Sequence, residues 1–289
     1  MRWRGLRRSS NMEDARGTGG GGRLPGGLLT KGGLGTLVII LIISWLTGTN
    51  PLTLLQQTGG GIDSYSSAPQ TPEYQPSAAE QELYEFTSAV LGNTEDVWKK
   101  LMADYREPTL KVFSGQVQSG CGGATAASGP FYCPADEKVY IDLSFYEELK
   151  SKLNAPGDFA QAYVIAHEVG HHIQHMLGIT EKVHRMKNQV SEAEYNDLSV
   201  RLELQADFLA GVWAHHAQRM NQILEPGDIE EALNAASAIG DDRLQKQFQG
   251  YVVPDSFTHG TSEQRMRWFK KGFETGDPEQ GDTFSVRDL

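Results

Sequence analysis

The chain has 289 residues, of which 39% are hydrophobic and 22% charged. This composition excludes global disorder and a polytopic membrane protein, and it allows a core large enough for an enzyme. Net charge is −11, divided as +5 over residues 1–33 and −16 over residues 34–289. So acidic a body argues against nucleic acid as the principal partner. Two cysteines exclude a disulfide-dense scaffold and a four-cysteine zinc site.

In chain order, residues 1–33 read as a basic, Gly- and Arg-rich tail with too little apolar content to fold alone. Residues 32–62 carry no charge, and their densest part is LGTLVIILIISWL. Taken from 34 to 55, this run is long enough as a helix to span hydrocarbon. A transmembrane anchor, a cleaved signal peptide and a buried core helix are the three alternatives. The long charged segment before the run and the lack of an A-x-A site favour the anchor over the signal peptide. The lack of a polar face argues against a core helix. With Arg2, Arg4, Arg7, Arg8, Arg16, Arg23 and Lys31 all preceding the run, the expected topology is single-pass. The amino terminus is then cytoplasmic and the body lies across the membrane. Residues 56–77 have the Gly, Ser, Pro and Gln content of a linker, so the folded body is expected over 78–289.

Ser77 and Glu80 form a capping-box pattern before one helix, and Asn93 or Thr94 is placed to cap a second, EDVWKKLMADY. LKVFSGQV reads as a strand, and FYC and VYIDL as a hairpin about residues 134–137. Helical patterns follow at about 144–153, 158–177, 180–188, 191–219, 228–248 and 262–273. A small strand region followed by many helices predicts a mostly helical α+β fold. Cys121 and Cys133 both fall in the strand region, and in an oxidising compartment an even pair of this kind predicts a disulfide.

Residues 167–172 read HEVGHH, so His167, Glu168 and His171 match H-E-x-x-H. Four residues along a helix, two imidazoles share a face and can reach one zinc ion, while Glu168 stands beside them as a proton acceptor. The surrounding apolar stripe places both histidines on its flank, where a cleft could reach them. The H-x-x-G-x-x-H continuation is absent, because Gln174 and Leu177 occupy its glycine and last histidine positions. His175 lies too far along the helix to share the ion. The third ligand is therefore sought on the helix RLELQADFLAGVWAHH. There Glu203 and Asp207 sit one turn apart on the flank of a second apolar stripe. Glu203 is the expected ligand, and Asp207 the expected hydrogen-bond partner of a ligating histidine. His172 and His175 read as lining a polar surface, and His215 and His216 as covering helix surface.

In the opening MRWRGLRRSSNMEDARG, the apolar run, CGGATAASGPFYCPADEKVYIDLSFY, HEVGHH, ELQADFLAG and FTHGTSEQRMRWF, the chain resembles a family of bacterial membrane-anchored neutral zinc metallopeptidases. The resemblance covers nearly the full length. It implies a zincin-type fold, one zinc ion held by His167, His171 and Glu203, and Glu168 as general base. It also implies a peptide or protein substrate, and a place in the inner membrane with the catalytic domain in the periplasm. A looser likeness, to gluzincins with a Thr-His-Pro segment and a downstream arginine, touches Thr258, His259 and Arg265, with Gly260 where the proline would stand. It implies that His259 lies near the zinc. A non-catalytic or latent zinc-stabilised binding module and a zinc amidase acting on cell-wall peptides stand as the alternatives.

Overall fold

The computed structural model describes residues 1–17 and 74–289. The expected anchor at 34–55, and all of the expected linker except residues 74–77, lie outside the described residues. Among the described residues no helix is long and apolar enough to cross a membrane.

The described chain forms strand β1 (Met12–Ala15), helix α1 (Ala78–Leu101), and strands β2 (Thr109–Phe113), β3 (Gln116–Ser119), β4 (Gly122–Thr125), β5 (Phe131–Cys133) and β6 (Lys138–Asp142). Helices then follow: α2 (Ser144–Ser151), α3 (Asp158–Met176), α4 (Ile179–Met186), α5 (Glu192–Asn221), α6 (Asp228–Ala238), α7 (Asp241–Gln249) and α8 (Ser262–Thr275). This is the mostly helical α+β architecture expected. One sheet has the order β1-β2-β6-β5, with β1, β2 and β6 parallel and β5 antiparallel to β6. β3 and β4 form a separate hairpin. Cys121 and Cys133 are joined as a disulfide across a separation of 12 residues.

Several boundaries differ from expectation, each for a tertiary reason. α1 is one helix rather than two. Asn93 spends its side chain on Asn221 and on the Trp213 indole, while Thr94 bonds back to the Leu91 carbonyl, so neither caps a helix. The strand LKVFSGQV breaks at Gly115, whose φ of +77° leaves the extended region. The expected helix 228–248 breaks at Gly240, where a Cβ would lie 2.4 Å from the Ser262 amide nitrogen and where Asp241 donates its N–H to the Gly260 carbonyl. The largest correction concerns the tail. Residues 1–17 are not a separate segment but part of the folded unit, which comprises Met1–Gly19 with Tyr74–Leu289. β1 went unseen because MEDA has little β character; its ladder with β2 comes from pairing across almost a hundred residues.

The core is built on α3, α5 and α8. Gly170 of α3 faces Ala206 of α5 so closely that a Cβ would sit 3.0 Å from the Ala206 carbonyl. Gly211 of α5 and Gly272 of α8 form a reciprocal contact. A Cβ on Gly272 would lie 2.0 Å from the Phe208 carbonyl oxygen, and one on Gly211 would lie 2.1 Å from that of Phe269. Helix backbone cannot yield as a side chain can. Gly272→Ala is therefore expected to destabilise by about 3 kcal/mol, the upper part of the usual overpacking range. Thermal unfolding would read this as a clearly lowered Tm, and an unchanged Tm would show that α8 can back away from α5.

Candidate metal centre

α3 and α5 run antiparallel, so the middle of one faces the middle of the other. Gln174 near the end of α3 bonds the Leu202 carbonyl and Gln205, whereas Tyr163 near its start bonds Asp207. Between these contacts His167, His171 and Glu203 converge, with one ligand atom from each lying within 4.8 Å of the others. His167 Nε2 is 3.1 Å from Glu203 Oε2, and His171 Nε2 is 3.4 Å from Glu203 Oε1. Donors 2.0–2.1 Å from a tetrahedral zinc stand about 3.3 Å apart, and the two histidine–carboxylate separations are close to that.

The outer nitrogens fix which ring atoms point inward. His167 Nδ1 is 2.8 Å from Asp207 Oδ1, and His171 Nδ1 is 2.8 Å from Gln174 Oε1. Each Nδ1–H donates outward, leaving each Nε2 free to ligate. Asp207 is fully buried and also accepts from Tyr163 Oη at 2.5 Å and from Arg265 Nε and Nη2 at 2.7 and 2.9 Å. Burial acts to raise its pKa, but Arg265 and His167 together outweigh that and hold the carboxyl below the usual range. Glu203 is likewise held well below the usual carboxylate range, against burial, by His171 and His167. Burial acts against the charged form of His167, yet Asp207 and Glu203 push its pKa up to about 10, and His171 is raised in the same way by Glu203.

Without metal, His167 therefore keeps a proton that a ligand must lose. Zinc binding is expected to release protons and to tighten as pH rises from 6 to 8. Titration calorimetry in buffers of different ionisation enthalpy is expected to read release of at least about one proton per ion near neutrality; none released would mean that His167 is already neutral. The stability sign is opposite for the metal-free chain. The folded pKa of His167 exceeds the unfolded 6.5, so its contribution is complete below pH 6.5 and lost as pH rises through about 10.

The site opens onto a cleft of about 490 Å³. Glu168 lines it beside the donor group, as do Tyr163, Val164 and Arg265. His259 lines it too, but it is not among the converging ligand atoms. Its Nδ1 is 3.2 Å from Asp241 Oδ1, and its backbone N–H donates to Asp241 at 2.6 Å. Burial acts to lower the His259 pKa, and Asp241 together with the nearby Glu203 raises it above its ordinary value. The geometry thus brings His167, His171, Glu203 and Asp207 together and leaves His259 on the wall.

Sequence reasoning assigned no role to Tyr163 or Gln174 in holding the site, and it noted Arg265 only through a looser likeness. Tyr163 lies four residues before His167, so extending the flank by one turn would have found it. Nothing local points to Arg265, which arrives from another helix. His172 also has a task. Its Nε2–H donates to the Arg106 carbonyl at 2.6 Å and its Nδ1 pairs with Tyr132 Oη at 3.0 Å, which ties strand β5 to the metal helix. His215 and His216 bond the Phe273 and Gly276 carbonyls, far from the site.

A second group with ligand-like spacing, Asp158, Asp228 and Glu231, has the Met1 ammonium 2.5 Å from Asp158 and contains no histidine.

The profile of the family described as "Putative neutral zinc metallopeptidase" matches residues 1–284. The uncharacterized protein YpfJ of Escherichia coli (strain K12) is 52% identical over 295 residues, covering 98% of this chain and 99% of its own. The uncharacterized protein Rv2575 of Mycobacterium tuberculosis (strain H37Rv) is 44% identical over 209 residues, covering 68% of this chain and 70% of its own. No solved structure matches. With a match running almost end to end over the residues that build the site, the chain belongs to the family described as "Putative neutral zinc metallopeptidase".

Proposed function

We propose that the protein is a zinc endopeptidase in which His167, His171 and Glu203 hold one zinc ion and Glu168 is the general base. The observation that carries this reading is a three-donor group set in a cleft. His167, His171 and Glu203 converge and all three line the cleft, and the nearby His259 is engaged by Asp241 rather than by the donor group. A structural zinc site is closed by four protein ligands, whereas a catalytic one keeps a position free. That difference favours the enzyme over the non-catalytic binding module.

Bound zinc would polarise the scissile carbonyl and acidify water. Glu168 takes a proton from the attacking water and returns it to the leaving amine. His259 lines the cleft and is held at Nδ1 by Asp241; in its protonated form its Nε2–H would serve as a donor to the developing oxyanion. Among the described residues β5 ends the sheet and pairs with β6 alone, while Pro130, Phe131, Tyr132 and Pro134 line the cleft. Its free edge suits an extended peptide added as a further strand.

The test is cleavage of a diverse peptide library by the full chain, read by mass spectrometry before and after chelation and again after zinc is restored. Internal cleavage that follows the metal supports the endopeptidase. Cleavage of cell-wall peptides alone would favour the amidase, and no cleavage of either at full zinc occupancy would sink the enzyme reading.

A further inference from the structure

We infer that residues 1–17 and the metal-bearing body lie on the same side of any membrane, so that the apolar run 34–55 is not a single-pass anchor separating them.

The arm is built into the domain. β1 pairs with β2 in parallel register from Met12↔Leu110 to Ala15↔Phe113, and Leu110 donates its N–H to the Asn11 carbonyl at 2.8 Å. Trp3 is buried against Phe86, ring edge to ring face at 5.5 Å between centroids. The arm backbone lies directly on α1 at Gly92, where a Cβ would be 2.6 Å from the Arg7 carbonyl oxygen. Only glycine admits that approach. Beside it, fully buried Glu95 receives Arg7 Nη2 at 2.6 Å, Ser9 Oγ at 2.5 Å and Asn11 Nδ2 at 2.9 Å. Removing the arm would strip a buried carboxylate of three donors at once and leave β2 with an open edge.

The charges point the same way. Each of the five arginines in the arm has an acidic partner. Arg2 is 3.9 Å from Glu225, Arg4 2.5 Å from Glu82, Arg7 2.6 Å from Glu95, Arg8 4.0 Å from Glu85, and Arg16 2.7 Å from Asp14. Four of these partners belong to the body. Positive charge orients a crossing segment when it is free to stay with the cytoplasm. Here it is matched to carboxylates of the domain, so the contrast between a basic start and an acidic body is complementarity within one fold.

The described chain also leaves and re-enters at neighbouring points. A Cβ on Gly17 would lie 2.2 Å from the Cβ of Tyr74. Hydrocarbon about 30 Å thick cannot lie between two strands hydrogen-bonded in one sheet. Any crossings between Gly17 and Tyr74 are therefore even in number, zero included.

The test uses the full chain in whole cells of its host, with Cys121→Ser and Cys133→Ser as background. One added cysteine, Arg4→Cys, reports the arm, and another, Phe248→Cys, reports the body; both positions are strongly exposed. A membrane-impermeant maleimide is applied before and after lysis. The two cysteines are expected to behave alike, both labelled in intact cells or both protected until lysis. Labelling of one with protection of the other would overturn the inference. If the background does not fold, Arg4→Cys with Glu82→Cys is made in the chain with Cys121 and Cys133 intact. A short permeable bis-maleimide should then close an intramolecular link in living cells. Two cysteines that each react singly but never link would overturn it as well.

Discussion

Glutamine in place of Glu168 is expected to lower peptide hydrolysis by about 10²–10⁴-fold while zinc content stays at one ion per chain. The substitution keeps the shape of the side chain and removes only its basicity. Glu168 stands on the cleft wall beside the donor group without being one of its converging atoms, so metal retention should not depend on it. The measurement is kcat/KM alongside metal analysis of the same preparation. Lost activity with lost zinc would show that Glu168 holds the site rather than serving it. Full activity with full zinc would transfer the proton to another group, and His259 on the same wall would be the next to test.

The second large effect is expected at Asp207. It is buried with Arg265, and its two oxygens take hydrogen bonds from Arg265, Tyr163 and His167. Asp207→Asn keeps the volume and leaves a buried guanidinium without its counter-charge. A loss of about 3–5 kcal/mol is expected, since breaking a buried pair from one side leaves the other charge uncompensated. Zinc affinity should fall about 10–100-fold as well, because His167 loses the acceptor that sets its tautomer. The two effects separate in the double variant Asp207→Leu with Arg265→Met. Replacing both charges by apolar groups should restore most of the stability but none of the zinc affinity. Urea unfolding and zinc titration on the same proteins decide it. A cost below about 1 kcal/mol for Asp207→Asn would mean that water reaches this network and screens it.

Much of the site was legible because its spacing is helical. His167 and His171 repeat at one turn, and so do Glu203 and Asp207, each pair on the flank of an apolar stripe. An amphipathic helix has to bury its stripe, and two flanks facing one another across the α3–α5 contact meet where the ligands meet. Gly170 fits the same geometry, since it lies mid-helix where the Ala206 backbone comes close. The capping box at Ser77 and Glu80 was equally local and stands as expected.

The arm was misread for the opposite reason. Residues 1–17 look unable to fold when counted alone, and alone they are. Their contacts include Phe86, Glu95 and β2, none of which a window along the sequence can see. The same holds for Arg265, which joins Tyr163 and Asp207 from α8.

The sequence by itself therefore determined the class of fold, the two helices that carry the chemistry and the spacing of His167, His171, Glu203 and Asp207 upon them, because helix geometry converts residue number into direction within a single segment. Only the tertiary structure decided that Arg265 and Tyr163 complete the network, that His259 stays on the cleft wall with Asp241, and that residues 1–17 belong to the domain. Those relations depend on pairing between distant segments, where burial and charge complementarity act and periodicity carries no information.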